Sequence, residues 1–85
     1  MAGYRLQIKA SAAKELEALP RKDCRRVVAR IQQLALDPGP LGCEKLSGDE
    51  KYRVRQGSYR VVYSVDDREH TVVIVKIGHR REVYR

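Results

Sequence analysis

Apolar residues recur along this chain in two rhythms, and the change falls near its midpoint. Tyr4-Arg5-Leu6-Gln7-Ile8-Lys9 alternates apolar with polar residues, the pattern of a half-buried strand. Ser11 then stands where a helix N-cap belongs, ahead of a short helix with Ala12, Leu16 and Leu19 on one side. Pro20 stops that helix and suits the start of the next. Across 21–36, Val27, Val28, Ile31, Leu34 and Ala35 recur at three- and four-residue steps, which predicts a longer amphipathic helix. Arg21, Lys22, Arg25, Arg26 and Arg30 fall mostly on its other side. Asp37-Pro38-Gly39-Pro40 ends it, and the tight turn at Pro20 makes the two helices a hairpin.

From Cys43 the rhythm becomes that of a sheet. Residues 41–50 read as irregular, with brief pairing at Glu44-Lys45-Leu46. Strands follow at 51–55, 58–65 and 71–77, joined at Gln56-Gly57-Ser58 and at Asp66-Asp67-Arg68-Glu69. Such short connections make the three strands an antiparallel meander. The predicted architecture is α+β: a strand, a helical hairpin, then the meander, with both helices on one face of a four-stranded sheet. The last strand is apolar on both faces and should be central, and the first strand pairs with the last or a middle one.

Length limits residues 1–85 to a single domain, and with no Trp and no Phe the core must be built from Leu, Val, Ile, Ala and Tyr. Charge changes the picture more: 18 Lys and Arg against 11 Asp and Glu leave a formal +7, which favours a polyanionic partner. Cys24 and Cys43 lack metal-ligand spacing and read as reduced thiols of a cytoplasmic protein. MAGYRLQIKA has no apolar signal region, and no run approaches the roughly 20 apolar residues of a membrane span. No Asp, Glu and His grouping has metal-ligand spacing and no Gly-rich phosphate loop is present, so neither a metal nor a small-molecule cofactor is expected.

Strand alternation concentrates the positive charge. Arg53 and Arg55 share a face, and Arg60 across the turn joins them, while Tyr52, Val54, Tyr59, Val61, Tyr63 and Val65 take the core side. The chain is expected to leave the sheet at Gly78 and bring Arg80, and with it Tyr84, over the same exposed arginine face. Like charges opposed on a sheet cost about 0.2–1 kcal/mol per pair, so a purely structural cluster is disfavoured. Guanidinium groups bind phosphate bidentately and tyrosine stacks on bases, a combination suited to single-stranded RNA. Positive charge also stabilises the transition state of RNA cleavage without a metal.

The pattern KLSG, YRVRQGSYRVVYSVDD and VVIVKIGHRREVYR, behind a strand and a basic helical hairpin, resembles the RelE toxins of the RelE/ParE superfamily of bacterial type II toxin–antitoxin modules. The resemblance spans essentially the whole chain and is most specific from Lys45 to Tyr84. It implies a ribosome-dependent endoribonuclease, an mRNA interferase that cuts messenger in the ribosomal A site through attack by the 2′-hydroxyl, and a cognate antitoxin that blocks it. It also implies roles for individual residues. Arg53 and Arg55 match the two basic positions of the first meander strand, Arg60 the arginine after the turn, Arg80 the one after the last strand, and Tyr84 the terminal tyrosine. Arg55 and Arg60 would stabilise the transition state, Arg80 would assist the leaving 5′-oxygen, and Tyr84 would stack on a base.

Lysines are usual in the family where this chain has Arg53 and Arg55, and arginine does not release its proton. A general acid or base must then come from elsewhere. His79 is the candidate by intrinsic pKa, Tyr84 is another, and Lys51 is a third that strand facing is expected to disfavour. Lys22, Arg25, Arg26 and Arg30 on the helix, with Arg81, are expected to bind RNA or the ribosome. A ParE-like gyrase inhibitor and an RNA- or ribosome-binding module without chemistry are the rival expectations.

Overall fold

In the computed structural model the described residues are 3–39, the main chain of 44 and 45, and 51–79. They form β1 (Arg5–Ile8), α1 (Ala10–Glu17), α2 (Arg21–Leu36), β2 (Glu44–Lys45), β3 (Lys51–Gln56), β4 (Tyr59–Asp66) and β5 (Thr71–His79). The sheet order is β1-β5-β4-β3-β2. Four strands make the mixed sheet, and β2 adds a two-residue rung at the β3 edge. The rung falls at Glu44 and Lys45, where brief pairing was expected; Leu46 lies outside the described residues.

β1 runs parallel to β5, from Arg5 opposite Thr71 to Ile8 opposite Ile74. A parallel neighbour needs a long crossover, and the helical hairpin supplies its start. The Lys9 N–H donates to the Ile74 carbonyl at 3.0 Å, so strand pairing runs directly into α1. Lys9 is therefore the N-cap residue, and Ser11, expected there, lies inside the helix. Pro20 holds the N-cap position of α2 with extended ψ, which suits a residue without an N–H.

Ala12, Val27, Ile31 and Leu34 from the helices meet Val54, Val61, Tyr63, Val72, Ile74 and Ile77 from the sheet, all essentially inaccessible. Each buried aliphatic side chain of this kind contributes about 1.5–3 kcal/mol. Tyr63 stacks on Tyr52 with ring centroids 5.7 Å apart, and its hydroxyl donates to the Pro38 carbonyl at 2.7 Å. β1 departs from the half-buried pattern, since all four residues are exposed. Its register puts Leu6 and Ile8 on the core face beside Val72 and Ile74, but an edge strand lacks a neighbour to cover it.

Two features shape the end of the sheet that matters for function. A register shift between Val62 and Tyr63 skips Val75, and β5 then continues past Gly78 to His79, which pairs with Tyr59. The expected exit at Gly78 is thus one residue early. Beyond Ile74 the outer edge of β5 has no β1 residue beside it. Glu15 of α1 occupies that edge, accepting the Ile77 N–H at 2.9 Å and pairing with Lys76 at 3.3 Å. An edge amide left bare would cost stability and invite pairing with another chain.

The β3–β4 loop has two residues, Gly57 and Ser58, with Gly57 at φ +61°. This is the glycine-first hairpin geometry that matches the twist of the strands. Space is open around a Cβ added there, so the conflict is purely one of backbone conformation. Gly57→Val is expected to cost about 1–2 kcal/mol, read as a lower midpoint in thermal unfolding.

Candidate nucleic-acid interface

The meander places the expected arginines by simple register. Arg55 stands directly opposite Arg60, and Arg60 is opposite Gly78 on its other side. Arg53 is opposite Val62, two residues along on the same face. Opposed residues on neighbouring strands have Cβ atoms about 4.5–5.5 Å apart, so two guanidinium groups can reach one phosphate. Gly78 places no side chain opposite Arg60.

Exposure differs from expectation. Only Arg55 is open to solvent, while Arg60 is 3% and Arg53 8% exposed, with Val62 buried between them. Arginine is almost never this buried unless it is held by partners. Nε of both residues and Nη1 of Arg60 are buried and donate no hydrogen bond among the described residues, although both side chains make other interactions. The face therefore presents one exposed guanidinium beside two buried ones, rather than a fully solvated arginine surface.

Lys51 stands two residues before Arg53 and opposite Ser64, on the arginine face. Alternation carries it there, contrary to the unfavourable facing expected of it. His79 goes the other way. It pairs with Tyr59, and the two rings meet edge-on at 6.1 Å and 79° on the helix side of the sheet. As possible general acid or base, His79 is on the wrong face for a phosphate held by Arg55 and Arg60. The reason is that β5 does not leave the sheet where the sequence pattern predicts. Arg80, Arg81 and Tyr84 lie outside the described residues, as does Cys43; Cys24 is a half-buried free thiol in α2.

The basic residues of α2 form a second cationic surface. Lys22, Arg25 and Arg26 are exposed and Arg30 is half-buried, with one contact to Gln33 at 3.3 Å. The opposite side of the helix is packed on the sheet, so this face looks away from the core.

Between these surfaces lies a feature that periodicity alone did not single out. The Tyr59 hydroxyl donates to Asp23 Oδ2 at 3.1 Å, tying the tip of the β3–β4 hairpin to the first turn of α2. Partial burial, followed by this bond to a carboxylate, pushes the Tyr59 hydroxyl above its ordinary pKa, so it stays a donor. Alternation places Tyr59 on the core face and says nothing of its hydroxyl; a phenol at a strand end needs a polar partner, and Asp23 provides the carboxylate. At the other end of the sheet Tyr4 donates to Asp67 at 2.9 Å, and that bond, before burial, raises the Tyr4 pKa.

Among the described residues no three His, Cys, Asp or Glu side chains gather as metal ligands, and no helix is long and apolar enough to cross a membrane.

Known proteins share this fold. A family model described as the ParE toxin of the type II toxin–antitoxin system parDE matches residues 6–84. Toxin RelE of Mycobacterium tuberculosis is 38% identical over 85 residues, covering 96% of this chain and 87% of the relative. The toxin–antitoxin complex RelBE2 of the same organism superposes with a TM-score of 0.84 at 29% identity, covering 94% of each chain. The archaeal RelE–RelB complex from Pyrococcus horikoshii OT3 superposes with a TM-score of 0.82 at 34% identity, covering 94% of this chain and 97% of the other. With a family match over nearly the whole chain and a RelE relative above one-third identity, this chain belongs to the RelE toxins of the RelE/ParE superfamily of type II toxin–antitoxin modules.

Proposed function

We propose that the chain is a cytoplasmic, ribosome-dependent endoribonuclease that cuts messenger RNA in the ribosomal A site and so stops translation. The observation that carries this reading is the rung that sets Arg55 against Arg60, with Arg53 next on the same face. In the reaction the 2′-oxygen attacks the adjacent phosphorus, the bond to the 5′-oxygen breaks, and a cyclic phosphate is left. Arg55 and Arg60 stabilise the charge that builds on the phosphoryl oxygens, where preorganised donors have their largest effect. Arg53 polarises the attacking hydroxyl without accepting its proton. Arg80 assists the departing 5′-oxygen, and Tyr84 stacks on a base. With His79 on the opposite face, the base that takes the 2′-hydroxyl proton is Tyr84 as phenolate or Lys51 as free amine, and the departing 5′-oxygen takes up a proton from that group or from water.

The arginine face has no loop among the described residues that closes over a substrate, so the ribosome must hold the messenger in line. Lys22, Arg25, Arg26 and Arg30, with Arg81, supply the docking charge toward ribosomal RNA, in contacts that weaken as salt rises. The RelE–RelB complexes among the structural neighbours support a cognate antitoxin for this chain. β1 offers it a free edge with Leu6 36% and Ile8 39% exposed, whereas the neighbouring β5 edge is occupied by Glu15.

The ParE description of the matching family model favours a second reading, inhibition of DNA gyrase. One comparison separates the two. Purified chain should cleave messenger in a translating extract, leave naked RNA largely intact, and leave gyrase supercoiling unaffected. Blocked supercoiling with intact messenger would establish the second reading. Stalled translation without cleavage would make the chain a binding module.

A further inference from the structure

A cavity of about 310 Å³ opens on the helix side of the β3–β4 hairpin tip, with Asp23, Arg26, Gln56, Ser58, Tyr59 and His79 around it. The mechanism uses none of these groups for chemistry. The volume is at the low end for small-molecule sites, about 300–1,000 Å³, and suits one base rather than a longer segment. Tyr59 and His79 give it an aromatic wall, on which a nucleobase can stack. Arg26 is exposed at the cavity and has no hydrogen bond or ion pair among the described residues, so its guanidinium is available to a phosphate.

Asp23 decides which base. Its Oδ2 accepts the Tyr59 hydroxyl, and a carboxylate offers about four lone-pair directions, so acceptor capacity remains. A carboxylate is matched by two adjacent N–H donors on one edge. Guanine alone among the four RNA bases has them, at N1 and N2. Adenine and cytosine set their amino group beside a ring acceptor, and uracil flanks its N–H with two carbonyls; both arrangements aim a lone pair at the carboxylate. The Gln56 amide can donate to the guanine O6. Acidic peptides are disfavoured because their carboxylates would meet Asp23.

The cavity also lies where an RNA strand held on the arginine face would pass. Arg55 opposite Arg60 and Gln56 opposite Tyr59 are successive rungs of one ladder, about 3.4 Å apart, and their side chains point to opposite faces. Only Gly57 and Ser58 cap the hairpin, and the space around Gly57 is open. A strand can cross this tip from one face to the other. We propose that the cavity is a guanine-binding subsite, taking one unstacked base from the strand whose nearby phosphate lies between Arg55 and Arg60. The substrate class rests on the RNA-cutting reading above.

The test needs neither ribosome nor cleavage, so its result is separable from that reading. Free GMP, IMP, AMP and inorganic phosphate are titrated into the full chain and followed by amide chemical shifts. GMP should move Gly57, Ser58, Tyr59 and His79 and bind about tenfold more tightly than AMP, the discrimination typical of one bidentate base contact. IMP lacks the N2 amine and should fall toward AMP. Asp23→Asn should remove the preference for GMP. The proposal is overturned if phosphate reproduces the GMP shifts, if GMP and AMP bind equally, or if IMP binds as tightly as GMP. The IMP comparison uses the natural chain and holds even where the Asp23 variant folds poorly.

Discussion

Replacing Arg60 with alanine is expected to lower A-site cleavage by about 10²–10³-fold, the loss seen when one preorganised donor to a developing oxyanion is removed. Arg60 is opposed to Arg55, which the same phosphate already engages in this reading, and to Gly78, which has no side chain, so no further guanidinium on those rungs can take over its two-pronged contact. Lysine at the same position keeps the charge but not the planar fork, and its activity should be intermediate. Arg60 is also buried, which changes what the experiment must control. Truncation will weaken the fold as well as the chemistry, so single-turnover cleavage on programmed ribosomes has to be paired with a thermal melt. Arg55→Ala serves as the second arm, because Arg55 is exposed and its loss should barely move the melt. A folded Arg60→Ala chain that cuts at full rate would show that the phosphate is held elsewhere.

Tyr63→Ala is expected to be the most damaging substitution for stability. The ring is fully buried, stacked on Tyr52, and tied through its hydroxyl to Pro38 at the end of α2. Emptying an aromatic site costs about 3–5 kcal/mol, against a total stability of about 5–15 kcal/mol for a domain. At about 4–8 °C per kcal/mol for a chain this size, the melting midpoint should fall by at least 12 °C or so. Tyr63→Phe removes only the hydroxyl and should cost about 0.5–1.5 kcal/mol. Equal losses in the two variants would mean that the bond to Pro38, rather than the packing, holds the helix end to the sheet.

Sequence pattern dictates structure where the physics is local. The three- and four-residue spacing of Val27, Ile31 and Leu34 defines a buried helix stripe, because helical side chains three or four apart share a face. The rung of Arg55 and Arg60 was legible because a two-residue loop with glycine admits only one register. Lys51 lies on the arginine face by the same alternation, where the opposite facing was expected of it. What tertiary structure alone decided depends on contacts far apart in the chain. The parallel pairing of β1 with β5 joins residues more than sixty positions apart, and it moved the α1 cap from Ser11 to Lys9 by spending the Lys9 N–H on Ile74. The shift at Val75 kept His79 in the sheet and turned it toward the helices, away from the arginines it was expected to serve. The burial of Arg53 and Arg60 is a property of the assembled fold, which no alternation pattern encodes. Asp23 reached Tyr59 only because the start of α2 lies over the hairpin tip, thirty-six residues away in sequence. Local periodicity thus determined the elements and the faces of the meander, while long-range pairing decided which side chains share a site.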